Sequence, residues 1–159
     1  MNWHEFQEAA PEIAALAEER FSATDLLMLG TLRRNGWPRI SPTEYAFFEG
    51  ELVLGGMWHA KKALDLLRDA RCTLHSVTTA KDGQEGDVKL YGRALPVEDP
   101  AWLERYWEYI FALMNFRPDG PAHVFTVDIE SAGYIVFSGA GMMRWLTWPG
   151  NSWRAGKSS

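Results

Sequence analysis

Residues 29–74 read LGTLRRNGWPRISPTEYAFFEGELVLGGMWHAKKALDLLRDARCTL. Their pattern is strand, turn, strand, turn, strand, short helix, strand. Asn35-Gly36 is a strong hairpin signal, because both residue types tolerate positive φ. Glu49-Gly50 marks the second turn, and Gly55-Gly56 ends the third strand. A helix over 60–68 follows, with Lys61 and Lys62 in its first turn. That placement runs against the helix dipole, at a cost of roughly 0.3–1 kcal/mol per lysine. A bound anion reverses the sign. Free backbone N–H groups, a close glycine approach and two ammonium groups together form a phosphate cradle.

Around this stretch, 159 residues with 47% apolar content are enough for one domain with a real core. The net charge of −5 gives no overall basic field, so nucleic acid is not expected as a main partner and any anion site must be local. No apolar run reaches the roughly 20 residues that a membrane span needs. The acidic start, MNWHEFQEAAPEIAAL, carries no secretory pattern. The single cysteine, Cys72, excludes an internal disulfide and points to a reducing, cytoplasmic setting.

Upstream, residues 2–20 are expected to be helical, with Pro11 opening the main part, followed by a central strand over 26–32. Pro38 and Pro42 predict that the strand over 37–48 bulges near Ser41-Pro42 or lies at a sheet edge. Ala60, Ala63, Leu64 and Leu67 are the expected buried stripe of the lysine-headed helix. Downstream come strands over 71–79 and 87–97, with a bend or close approach at Gly92. Asp99-Pro100 starts a helix over 101–116 that is aromatic on almost every side, which predicts contact with a second subunit. Two strands, 122–129 and 134–137, are separated by a turn at 131–133. A last extended segment covers 142–148, and the tail from Asn151 reads as frayed apart from Trp153 and Arg154. Short connections and few helices predict an antiparallel barrel with peripheral helices.

The ordered set Gly36-Trp37-Pro38-Arg39-Ile40-Ser41-Pro42, Gly50-Glu51-Leu52, Lys61-Lys62-Ala63 and Leu67-Arg68-Asp69 resembles the pyridoxamine 5'-phosphate oxidase-like, FMN-binding split-barrel family, which also includes deazaflavin-dependent reductases. The resemblance covers about 24–97 well and the last third in outline. It implies a mainly β (α+β) fold, a six-stranded antiparallel split barrel with peripheral helices, and a homodimer holding the flavin at its interface. It further implies FMN as cofactor, with a deazaflavin coenzyme as the alternative. Lys61 and Lys62 match the phosphate-binding positions. Ser41, Pro42 and Thr43 match the strand lining the isoalloxazine, Gly55 and Gly56 match a further cofactor contact, and Asp87 falls near a polar ring contact. The family oxidase carries Arg-x-His near its C-terminus; Trp153-Arg154-Ala155-Gly156 lacks that histidine, which separates this chain from the vitamin B6 oxidase reaction itself.

The implied activity is a flavin-dependent oxidoreduction of a small-molecule substrate, with neither nucleic acid nor membrane as partner. No side-chain constellation identifies catalytic residues. His4, His59, His75 and His123 show no metal spacing. A module that binds flavin or haem without turnover is the reading from another class. Glu44 and Tyr45 lie where one of them should face the cofactor, and Trp145, Trp148 and Trp153 are candidates to close over a ring from a partner subunit.

Overall fold

The computed structural model describes residues 1–157. Two short helices lead: α1 (Trp3–Ala9) and α2 (Pro11–Ser22). Asn2 and Glu5 close a reciprocal capping box on α1, and Pro11 takes the first position of α2, where its missing N–H costs nothing. Strands β1 (Leu27–Leu32), β2 (Pro38–Thr43), β3 (Tyr45–Phe48) and β4 (Glu51–Met57) precede α3 (Lys61–Arg68). Then come β5 (Arg71–Ser76), β6 (Asp87–Pro96), α4 (Pro100–Met114), β7 (Ala122–Phe137), β8 (Met142–Trp148) and β9 (Ser152–Lys157).

The strands form one antiparallel sheet in the order β2-β1-β5-β6-β7-β4-β3. β7 carries the branch. Its first half pairs with β4, its second half pairs with β8, and β6 follows it along nearly its whole length. The edge strands β2 and β3 are separated by Glu44 alone, so the sheet is an open, split barrel rather than a closed one. Where β2 comes near the start of α3, Lys62 Nζ donates to the Pro42 carbonyl at 3.0 Å.

The expected class therefore stands, with nine strands in place of six. The strand over 37–48 breaks at Glu44 instead of bulging at Ser41-Pro42, and its prolines lie on the edge strand β2, where a missing donor is tolerated. The two strands expected over 122–137 are one: Glu130 is accommodated as a bulge opposite Tyr91 and Gly92. Gly92 is the residue that permits it, because a Cβ there would lie 2.1 Å from the Asp128 carbonyl oxygen. Over 152–157 the tail is not frayed, and the last two residues, 158 and 159, lie outside the described residues. β9 pairs with β8, Trp153 Nε1 donates to Glu12 at 2.6 Å, and Arg144 lies 4.3 Å over the Trp153 ring.

Two cores result. The main one joins α1, α2 and α3 to one sheet face, with Phe6, Ile13, Phe21, Leu54, Leu74 and Phe125 among its buried side chains. Each such side chain contributes about 1.5–3 kcal/mol by leaving water. The second lies on the opposite face, where Tyr106 and Ile110 of α4 pack on Ala46, Val53 and Val124. β4 alternates between them: Leu52 and Leu54 face the first, Val53 the second.

α3 corrects the sequence reading. Its buried residues are Ala63, Asp65 and Leu66, while Leu64 and Leu67 are 43% and 48% exposed. The rotation follows from Asp65, whose carboxylate accepts from Arg39, Thr31 and Arg68 and is thereby buried with its charge met. α4 is likewise not enclosed by its own chain: Phe111, Leu113, Met114 and Phe116 on and just beyond its last turn are all more than 40% exposed.

Candidate functional site

A groove of about 510 Å³ opens between the β2–β3 break, the end of β4, the start of α3 and the inner face of α4. Pro42, Thr43, Glu44 and Tyr45 form one wall. Gly55 and Gly56 form the floor. A Cβ at Gly55 would meet open space, whereas one at Gly56 would touch Ala63 Cβ at 3.4 Å, so Gly55 is the part of the floor that is bare backbone open to a ligand. Tyr106, Trp107, Ile110 and Met114 supply an apolar wall, continued by Phe116, Pro118 and Pro121. Met57 and Trp58 stand at the rim.

The polar end of the groove is the N-terminus of α3. Ala60 is the cap residue and offers no side-chain acceptor. The amides of the first helical turn have no intrahelical partners, and no acidic side chain lies in that turn. Lys62 brings its ammonium into the same end. Burial lowers its pKa below the ordinary lysine range, partly offset by the Glu44 carboxylate nearby. Donors without acceptors, a cation and a flat apolar slot fit a planar ring carrying a phosphate.

Of the residues singled out in the sequence, Pro42, Thr43, Gly55, Gly56 and Lys62 meet in this groove. Lys61 does not. It faces the other side of α3, into a cavity shared with Arg33, Arg34, Arg39 and Arg68. Ser41 lies on β2 beyond the groove wall. Asp87 sits at the start of β6, where it pairs with Lys89 and approaches His75 at 3.4 Å. Glu44 and Tyr45 both reach the groove, because the strand breaks at Glu44 and alternation is lost there. Trp148 packs edge-on against Phe6, and Trp153 against Tyr134, so those two tryptophans are used within their own chain.

Sequence reasoning missed the α4 wall, because the aromatic character of that helix points to contact with a second subunit and not to this groove. It also missed the neighbourhood of His123. Trp58 stacks on His123 at 4.5 Å between centroids with planes 15° apart, and on His59 at 4.7 Å. The His59 amide donates to His123 Nε2 at 3.4 Å. Burial, then repulsion from His59, lowers the His123 pKa below the usual imidazole range. The signal available was the glycine-to-helix passage Met57-Trp58-His59; His123 comes beside it because the β4–β7 register pairs Gly56 with His123, which the sequence alone does not display.

With this geometry in place, residues 13–135 match the family model described as Pyridoxamine 5'-phosphate oxidase. The chain belongs to the pyridoxamine 5'-phosphate oxidase family. Solved structures agree at the level of the fold. A NimC/NimA family protein from Clostridium acetobutylicum superposes with a TM-score of 0.64 at 17% identity, covering 91% of this chain and 98% of that one. A pyridoxamine 5'-phosphate oxidase-like protein from Listeria innocua gives 0.60 at 17% identity, over 77% and 94%. A haem-binding protein from Mycobacterium smegmatis gives 0.59 at 19% identity; it covers 91% of this chain, which spans 58% of that protein's length. No match was found among the curated proteins. No helix among the described residues is long and apolar enough to cross a membrane.

Proposed function

We propose that this member of the pyridoxamine 5'-phosphate oxidase family is a flavin-dependent oxidoreductase that holds FMN in the groove between α3 and α4, acting on a small-molecule redox substrate in the cytoplasm. The observation that carries the reading is the uncapped N-terminus of α3 at the end of a bare-backbone slot, with Lys62 beside it. Lys62 and the first-turn amides of α3 would hold the phosphate. Gly55, Gly56 and the Pro42–Tyr45 segment would lie against the ring, and Tyr106, Trp107 and Ile110 would keep water from its other side. The bound flavin supplies hydride or electron transfer, so the chain needs to bind, orient and exclude water rather than provide an acid–base pair.

A second copy of the chain would close the groove as a homodimer. Exposed apolar side chains line it: Met57 and Trp58 are 82% and 50% exposed, and Met114 and Phe116 are 45% and 51% exposed. The visible spectrum of the freshly purified protein tests the cofactor, and light scattering coupled to size-exclusion chromatography tests the dimer. Flavin bands, and a mass twice that of the chain, support the reading. Binding of a deazaflavin in preference to FMN moves the assignment to that coenzyme. A haem spectrum, or bound flavin that no nicotinamide donor reduces, moves it to a binding module.

A further inference from the structure

Between the groove floor and α3 the chain makes a four-residue turn from Met57 to Ala60, closed by the Ala60 amide donating to the Met57 carbonyl at 3.0 Å. His59 sits in that turn with φ at 58°, a left-handed conformation that is uncommon for a residue with a Cβ and persists only where the surroundings determine it. One side chain reaches the turn from outside. His123 of β7 is set beside Gly56 by the strand register; its Nε2 accepts from the His59 amide at 3.4 Å, and its ring stacks on Trp58. Among the described residues this is the only hydrogen bond that ties residues 58–60 to any element other than β4 and α3, which they join. Ala60, the cap of α3, has no side-chain acceptor of its own. The turn therefore sets where the first-turn amides of α3 stand, and His123 holds the turn from across the sheet.

We infer that His123 is a positioning residue for the phosphate end of the groove, and that its neutral ring holds the turn ahead of α3 while its protonated ring releases it. This rests on the flavin reading of the groove and deepens it, by giving the same site a regulation by acid. Nε2 accepts only when it carries no proton, so the ring that holds the turn has its hydrogen on Nδ1. A proton added at Nε2 turns the acceptor into a donor and sets it against the His59 N–H. The left-handed His59 backbone then loses its outside partner. The surroundings resist that protonation. Burial, then repulsion from His59, lowers the His123 pKa, and no carboxylate among the described residues acts on it. The other neighbours carry no charge: Trp58 covers a face of the ring, Gly56 stands across the ladder, Phe125 lies at 6.2 Å on the same strand, and β6 ends at Pro96, opposite Phe125. Below the His123 pKa the groove therefore grips a phosphate less well, because binding must first restore the turn.

The test is a set of FMN titrations, read by flavin fluorescence between about pH 5 and pH 8, on the unmodified chain, His123→Phe and His123→Gln, with circular dichroism as the check on folding. Phenylalanine keeps a ring for the stack and offers no acceptor. Glutamine keeps an acceptor and does not titrate. The FMN phosphate itself titrates near pH 6 with all three proteins, so the readout is the ratio of dissociation constants between each variant and the unmodified chain. His123→Phe is expected to bind FMN about fivefold more weakly at pH 8, the size of one net hydrogen bond, and the gap is expected to close towards pH 5. His123→Gln should match the unmodified chain at pH 8 and bind more tightly than it at pH 5. A gap for His123→Phe that is absent, constant with pH or wider towards acid overturns the inference and leaves the flavin reading intact, as does a glutamine variant that behaves like the phenylalanine one. If FMN binds none of the three proteins at any pH, both fall. Where a variant fails to fold, nuclear magnetic resonance of the unmodified, ligand-free chain decides: the His59 amide and the His123 ring must shift with one pH midpoint, and an amide that does not follow the ring overturns the inference.

Discussion

Arg39 Nε donates to Asp65 Oδ2 across 2.6 Å, tying edge strand β2 to the packed face of α3. Thr31 of β1 and Arg68 of α3 supply further donors to the same carboxylate. Burial pushes the Asp65 carboxyl up, but these three donors outweigh it and hold the group below the usual carboxylate range. The pair decides which way α3 is turned, and so why Lys61 and Lys62 look into different cavities.

Asp65→Ala should therefore destabilise the fold by about 3 kcal/mol, the lower end for breaking a buried ion pair, because Arg39 keeps 21% of its side-chain surface in water. Urea unfolding measures it. Adding Arg39→Ala to that variant should cost less than the sum of the two single changes, since the second substitution removes a charge already stranded. Strict additivity would show that the two side chains do not act as a pair.

That pair also shows where the sequence stops being readable. The hairpin at Asn35-Gly36, the helix cap at Asp99 and the close approach at Gly92 are local: their residue types carry their own backbone requirements. The face of α3 was misread because hydropathy assigns Leu64 and Leu67 to the inside, whereas a carboxylate is buried there only by partners on β1 and β2. The unbroken β7 and the ordered β9 are set by ladders with β6 and β8, which a single sequence does not display. The same holds for the groove. Its lysine and glycines stood out in the chain, and the α4 wall facing them did not.

Glu85 gives the clearest pH dependence. Its carboxylate accepts from the amides of Ala80 and Thr79 at 3.0 and 2.5 Å and from Arg20 of α2 at 2.9 Å. These bonds, the backbone amides first, hold its pKa down at about 2. A carboxyl depressed by folding stabilises the protein above its ordinary value and loses that contribution as pH falls towards the depressed one. The Tm of Glu85→Gln should lie below that of the unmodified chain at pH 6, and the gap should close between about pH 4.5 and pH 2. A gap that stays constant with pH would mean the carboxylate's charge is not what matters.

Gly92→Ala places a methyl group 2.1 Å from the Asp128 oxygen, and backbone on both sides of the bulge leaves little room to yield. The expected loss is about 3 kcal/mol, at the upper end for overpacking. Gly133, on the same strand pair, is the control. A Cβ there meets nothing within 4 Å, so Gly133→Ala should change stability by under about 0.5 kcal/mol. Thermal melts of the two variants side by side decide the point, and equal melting temperatures would overturn it.

Lys62 links stability chemistry to the proposed function. Burial lowers its pKa, which in the free protein disfavours the ammonium; a phosphate at the start of α3 would favour it again. Binding of FMN should then draw a proton onto Lys62 at alkaline pH, and affinity should fall as pH rises through the depressed lysine value. Lys62→Ala should weaken FMN at least tenfold at pH 7 by removing a charge-assisted bond. Lys62→Arg should keep much of the affinity and lose the alkaline decline, because a guanidinium does not deprotonate in this range. Flavin fluorescence titrations from pH 7 to pH 10 on the three proteins read all of this. An alkaline decline that persists unchanged in Lys62→Arg would assign the titration to another group and take the phosphate away from Lys62.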